Sequence, residues 1–128
     1  MSSGAGFLAG RGAPVYAASK FTVEGLAEGL ANEVKPFGIR VHLIEPGISR
    51  TNFLSQVVQG KQVGQKIEGY LNIGGILGSM HGMQPGDPEN GMQRVFEVAM
   101  GTDMGEGMEW DLRVPLGSDC FGMFEAEG

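Results

Sequence analysis

The stretch PVYAASKFTVEGLAEGLANEVKPFGIRVHLIEPGISRT, residues 14–51, decides the fold. Tyr16, Ala17, Lys20, Val23, Ala27, Leu30, Ala31 and Val34 recur at three- and four-residue spacing, which predicts one long helix opening at Pro14 and Val15. Lys35-Pro36-Phe37-Gly38 ends it, because Pro36 cannot continue a helix and Gly38 suits a left-handed turn. Residues 39–44 then predict a strand that stops at Pro46-Gly47. The run 41–44 is almost wholly apolar, as expected of a strand covered on both faces. Helix, short turn and buried strand make half of a βαβ unit. Gly25 and Gly29 sit mid-helix, where each costs about 1 kcal/mol relative to Ala. Four apart, they share a face that lets another backbone approach, either a sheet of the same chain or a helix of a second copy.

Outward from this stretch the signals are weaker. Residues 2–14 are rich in Gly, Ala and Ser and read as a loop. Residues 52–59 predict a short helix, and 60–86 read as loop with a helical turn at 65–71. Asp87-Pro88-Glu89-Asn90 predicts an N-cap with Pro at the first helical position. Val95, Phe96, Val98 and Ala99 continue that helix to Gly101. Residues 110–116 are a candidate strand, which Pro115 pushes towards an edge or strand end. The tail, 117–128, reads as short and acidic. The class is α/β, with no internal repeat.

Composition bounds the function classes. The 128 residues include 23 glycines, well above the usual share of about 7 per cent. They show no period of three, so collagen is excluded. Hydrophobic residues make up 41% and prolines number six, so this is no low-complexity linker. The length suits one domain. Residues 1–66 carry seven Lys/Arg and four Asp/Glu, net +3, whereas 67–128 carry two and eleven, net −9. No basic nucleic-acid footprint emerges from that balance. Cys120 is the one cysteine, so no internal disulfide forms. It reads as a small buried hydrophobe, and a reducing, cytoplasmic setting fits. Met1-Ser2-Ser3-Gly4 lacks the basic start and apolar core of a signal peptide. The charge-free stretch 69–86 holds six glycines, Pro85, Asn72 and His81, so it predicts no membrane span.

Three features carry chemistry. Tyr16 and Lys20 form Y-x-x-x-K, and residues four apart on a helix lie about 5–6 Å from each other on one face. That spacing lets an ammonium stabilise a tyrosinate. Bringing a tyrosine from near 10 to near 7 takes roughly 4 kcal/mol, whereas a solvent-exposed pair supplies up to about 1 kcal/mol. Such a tyrosine therefore needs a dry pocket with added positive charge. Alone, Y-x-x-x-K is a weak signal that two surface residues also satisfy. Ser3 lies thirteen residues before Tyr16, and its hydroxyl suits a substrate carbonyl or alcohol. Beyond the strand, Pro46-Gly47-Ile48-Ser49-Arg50-Thr51 forms P-G-x-x-x-T. It stands at the carboxyl end of a strand, where open α/β sheets bind ligands. Neither His42 nor His81 reads as a metal ligand, and no metal is expected.

Together these features resemble the short-chain dehydrogenase/reductase family, in its single-domain branch. The resemblance runs through residues 2–53 and, more loosely, through 85–101 and 112–119. It implies a partial Rossmann-like, doubly wound parallel sheet with about two strands and flanking helices. It also implies NAD or NADP as cofactor, and reversible hydride transfer to or from a carbonyl or alcohol substrate. Tyr16 would be the general acid/base and Ser3 would orient and polarise the substrate oxygen. Lys20 would favour the Tyr16 anion and hydrogen-bond the nicotinamide ribose. Tyr16, Lys20, Pro46, Gly47, Ile48 and Thr51 would line the cofactor site, the last four at the nicotinamide carboxamide. Residues 52–86 would be the variable substrate lid. Its Leu54, Val57, Val58, Tyr70, Leu71, Ile73, Ile76 and Leu77 point to an apolar substrate, and loop packing accounts for them equally.

The family's Gly-rich phosphate turn, its N-A-G stretch and its further catalytic Asn have no match in these 128 residues. The expectation is therefore the carboxyl-terminal part of one domain, with the amino-terminal half missing. The chain alone should bind NAD(P) weakly or not at all. Two other readings stand beside the oxidoreductase. One is a non-catalytic, truncated paralogue that pairs with intact family members, or with itself, through helix 17–34. The other, epimerase or dehydratase chemistry on the same Y-x-x-x-K, sits poorly with P-G-x-x-x-T so soon before the short tail.

Overall fold

A computed structural model describes residues 1–54, 68–71 and 73–127. The long helix forms as the spacing requires: α1 spans Pro14–Val34, with Pro14 in its first turn. A 3-10 turn at Lys35–Phe37 follows, and Gly38 closes it with φ +71°, a left-handed conformation that favours glycine. Strand β1 spans Leu43–Pro46. The helices α2 (Ile73–Ser79) and α3 (Pro88–Met100) come next. Strand β2 (Arg113–Leu116) and helix α4 (Ser118–Glu127) complete the order.

β1 and β2 pair in parallel, with Leu43 opposite Arg113 and Pro46 opposite Leu116. The crossover between them carries α3, as a parallel pair requires. Asp87 caps α3 by accepting from the Glu89 N–H at 3.0 Å, and Gly101 ends it at φ +68°. The core is small. Ile44 and Val114 of the strands pack with Val98 of α3, and Val95, Met108 and Leu116 close around them. Pro115 is tolerated because β2 is paired on one side by β1 and Pro115 stands opposite Glu45.

Two expectations are corrected, and the tail takes a structure that its sequence leaves open. The strand opens at Leu43, not at Ile39, and the fully buried run is Leu43, Ile44 and Glu45. Pairing begins where Leu43 donates to Leu112 O at 2.6 Å, and Ile39 is exposed. The region 60–86 contains α2, whose Ile73, Ile76 and Leu77 have helical spacing that the intervening glycines disguise. The acidic tail is a helix, α4, with Asp119 in its first turn. It seats Cys120, fully buried, whose Sγ donates to Glu45 O at 3.0 Å. Burial pushes that thiol up to about 11, so Cys120 fills space as expected. His42 Nδ1 donates to Asp111 O at 2.8 Å while its buried Nε2 has no protein partner.

Nothing lies within 4 Å of a Cβ built on Gly25 or Gly29. Among the described residues, therefore, that face packs tightly on no sheet. The predicted helix at 52–59 begins at Phe53 and Leu54, and the rest of it lies outside the described residues, as do Val57 and Val58. At 65–71, only residues 68–71 are described, and they form a turn. Among the described residues, no helix is long and apolar enough to cross a membrane.

Candidate active site

The candidate site residues lie on the first turns of α1, in the Ser3 turn and in the Pro46–Thr51 turn that follows β1. Tyr16 and Lys20 lie one turn apart on α1, and the Lys20 Nζ stands 5.6 Å from the Tyr16 ring centroid. That is within the range of a cation–π contact. Phe53 tilts against the Tyr16 ring from the other side, with centroids 6.0 Å apart. Tyr16 is 36% exposed, so its ring is half-covered.

Ser3 opens a 3-10 turn at Gly4–Gly6, and its Oγ accepts from the Ala5 N–H at 3.3 Å. The turn packs against both α1 and β1. Ser2 donates to Ile44 O at 2.7 Å, so the segment before Ser3 runs along the free edge of β1. Gly6 has to be glycine here: a Cβ would come within 2.6 Å of Ser2 Oγ and 2.8 Å of Glu24 Oε1.

The Pro46–Thr51 turn is held from two directions. Gly47 donates to Leu116 O at 2.8 Å, and Ile48 donates to Asp119 Oδ2 at 2.6 Å. Gly86 donates to Ile48 O at 3.1 Å, and Arg50 donates back to Gly86 O at 2.9 Å. The Asp119 carboxylate sits so close to Gly47 that no Cβ fits there. Thr51 is exposed, and its Oγ1 accepts from Phe53 N–H at 3.3 Å.

A nicotinamide carboxamide needs one donor, one acceptor and room. The donor set suits it. A protein acceptor already sits on the Ile48 N–H, as a carboxamide oxygen would, and the Thr51 hydroxyl is open to solvent. Lys20 offers three N–H groups for ribose oxygens. The residues present therefore fit the group, with Asp119 competing for the Ile48 N–H. The structure brings Tyr16 and Lys20 together, and it places the Ser3 turn on their helix. A cavity of about 300 Å³ lies nearby, lined by Gly10, Arg11, Gly12, Pro14, Gly69, Tyr70 and Leu71. Among the described residues, no group of three His, Cys, Asp or Glu side chains is placed to hold a metal.

Sequence reasoning missed four residues. Asp119 is one. The others form a cluster one turn beyond Lys20: the buried Glu24 on α1 and Glu45 on β1, and the half-exposed Arg113 on β2. Arg113 Nε meets Glu24 Oε2 at 3.2 Å and Glu45 Oε1 at 3.9 Å, and its Nη2 meets Glu28 Oε2 at 3.0 Å. Burial first, and then the neighbouring Glu24 carboxylate, push Glu45 up to about 8, against a smaller opposing pull from Arg113. Tyr16, Lys20, Glu24 and Glu28 recur every four residues, which was the available signal. The other was a glutamate inside an otherwise apolar strand.

With this geometry in view, comparisons with known proteins are informative. A family model described as short chain dehydrogenase matches residues 1–62. A 3beta-hydroxysteroid dehydrogenase of Caenorhabditis elegans is 38% identical over 73 residues, covering 57% of this chain and 19% of the relative. The human 17-beta-hydroxysteroid dehydrogenase type 1 is 50% identical over 44 residues, covering 34% of this chain and 13% of the relative. A crystal structure of a short-chain dehydrogenase from Streptomyces avermitilis superposes with a TM-score of 0.71 at 31% identity. That match covers 98% of this chain and 43% of the other. The chain thus spans well under half the length of these relatives. The family model and this superposition together support membership of the short-chain dehydrogenase/reductase family.

Proposed function

We propose that the chain carries the chemical site of an NAD(P)-dependent oxidoreductase acting reversibly on a carbonyl or alcohol. The observation that carries this is the Lys20 ammonium over the Tyr16 ring on a helix that also seats the Ser3 turn. When bound, the nicotinamide supplies or accepts the hydride. Tyr16 gives a proton to the developing alkoxide or takes one from the alcohol, as general acid/base. Lys20 favours the tyrosinate and bonds ribose hydroxyls. Ser3 holds the substrate oxygen, releasing the Ala5 N–H to do so. Pro46, Gly47, Ile48 and Thr51 receive the carboxamide, with Asp119 giving up the Ile48 N–H. The residue pattern does not choose between NAD and NADP.

The substrate is apolar. Of the segment 52–86, Gly69, Tyr70 and Leu71 line a cavity with Gly10, Arg11, Gly12 and Pro14, which supports a substrate-facing role for this part of it. The hydroxysteroid dehydrogenases among the relatives support a bulky apolar alcohol or ketone.

The test is turnover of hydroxysteroids with NAD(P). It is run on the chain as it stands and on a chimera in which it replaces the matching part of the Streptomyces avermitilis dehydrogenase. Tyr16→Phe removes the acid/base and should cost at least about 100-fold in turnover, with cofactor affinity kept. Retention of more than a few per cent of activity contradicts the role given to Tyr16.

A second reading, pairing of the chain with family members or itself through α1, draws on one observation. Phe21, Leu26 and Leu30 are exposed on α1, Leu26 by 70%, beside the open space at Gly25 and Gly29.

A further inference from the structure

Glu45 is the most deeply buried large side chain of the described residues, with 0% exposure. Both of its carboxyl oxygens lack a hydrogen-bond partner, and so does Glu24 Oε1. Glu24 is itself 5% exposed, and the two carboxyls converge on one guanidinium nitrogen, Arg113 Nε, at 3.2 Å and 3.9 Å. Two buried carboxylates cannot both ionise cheaply so close together. Arg113 brings one positive charge, and its short contacts go to Glu24 and Glu28, not to Glu45. The cluster is left with three buried carboxyl oxygens and no N–H donor for any of them. A proton on Glu45 lets one of its oxygens donate to Glu24 Oε1, which satisfies two of the three.

We propose that Glu24, Glu45 and Arg113 act as a proton-sharing latch, in which a neutral Glu45 carboxyl donates to the Glu24 carboxylate, and that this latch sets where α1 holds Tyr16 and Lys20 relative to the Pro46–Thr51 turn. The positions make the link. Glu24 is one turn beyond Lys20 on the same face of α1, and Glu45 directly precedes Pro46. Arg113 ties both to β2, so three elements meet in one cluster. The Ser3 turn leans on it as well, since Gly6 is in contact range of Glu24. Glu24, Glu45 and Arg113 are thus positioning residues. The catalytic significance of what they position rests on the oxidoreductase reading, whereas the latch does not.

The charged groups acting on Glu45 are Glu24 from α1 and Arg113 from β2, and the Cys120 thiol of α4 donates to its backbone oxygen. Glu28 stands one contact further out on Arg113, and Asp119 acts on the Cys120 thiol. Ser2 contributes a buried hydroxyl with no partner. The shift of Glu45 from 4.5 to about 8 agrees with the geometry. Its folded value lies above the unfolded one, so its stabilisation is complete below about 4.5 and is lost as pH rises to about 8.

The experiment compares the 128-residue chain with Glu45→Gln and Glu24→Gln. Urea unfolding is followed across that pH window, together with the backbone amide resonances of Tyr16 and Lys20. In the parent chain, stability should fall as pH rises to about 8, and both amides should follow a titration near that value. Glu45→Gln, neutral at every pH, should flatten the fall and abolish the titration at Tyr16 and Lys20. Glu24→Gln removes the like charge, so the midpoint should move down towards the ordinary carboxyl range. Unaltered pH dependence in either variant, or Tyr16 and Lys20 amides blind to pH in the parent, overturns the proposal. Should Glu45→Gln fail to fold, the direction of the Glu24→Gln shift decides alone. None of these readouts needs turnover, so an inactive chain does not affect them.

Discussion

At Gly47 the backbone and one side chain compete for the same volume. The Asp119 carboxylate fills the space where a Cβ would stand while it accepts from Ile48 N–H at 2.6 Å. Gly47→Ala should therefore cost about 1–3 kcal/mol, as overpacking usually does. Asp119→Ala should cost about 1.5–3 kcal/mol, the range for a hydrogen bond to a charged group. Once Asp119 is gone the methyl group fits. The double variant should then be more stable than the sum of the single losses predicts, by at least about 1 kcal/mol in a double-mutant cycle by urea unfolding. Strict additivity would show that the contact does not hold the turn. This pairing was not legible in the sequence. P-G-x-x-x-T announces a turn at Gly47, but nothing local tells that a residue 72 positions on, in the first turn of another helix, closes it.

The elements were legible in proportion to their own periodicity. α1 and α3 carry both an apolar repeat and end signals, Pro14 with Gly38 and Asp87-Pro88 with Gly101, and both form where those signals stand. α2 and α4 lacked that support. α2 contains three glycines among seven residues, and α4 has an acidic, Gly-containing sequence with one fully buried anchor, Cys120. Tertiary contacts decide such segments, and periodicity cannot see them. The strand at 43–46 begins late for the same reason: its start is set by where β2 can pair. On α1, the open space at Gly25 and Gly29 leads to a prediction. Ala at either site meets nothing within the chain, so each substitution should raise helix stability by roughly 0.5–1 kcal/mol, read as a higher urea midpoint. If copies pair across this stripe, the added methyl groups should at the same time weaken self-association in sedimentation. A loss of stability in a strictly monomeric sample would contradict the exposed placement of this face.

For the whole molecule, the small core and the wide apolar surface belong together. Three buried side chains centre the sheet core, while Val15, Leu26, Phe37 and Met83 are largely exposed. The chain superposes on 43% of a larger dehydrogenase. The family was legible because its chemistry is local, held in Ser3, Tyr16, Lys20 and 46–51. The Glu24–Glu45–Arg113 cluster was not, because it joins three elements far apart in sequence. The central claim is that the Tyr16–Lys20 face and the 46–51 turn form one nicotinamide site. It is tested most directly by titrating the isotope-labelled chain with NADH and with NADPH and following backbone amide shifts, which register even millimolar binding. Saturable shifts concentrated at Tyr16, Lys20, Gly47, Ile48 and Thr51 are predicted. Saturable shifts that avoid these residues, gathering instead around the cleft where Lys35 covers Trp110, would contradict it.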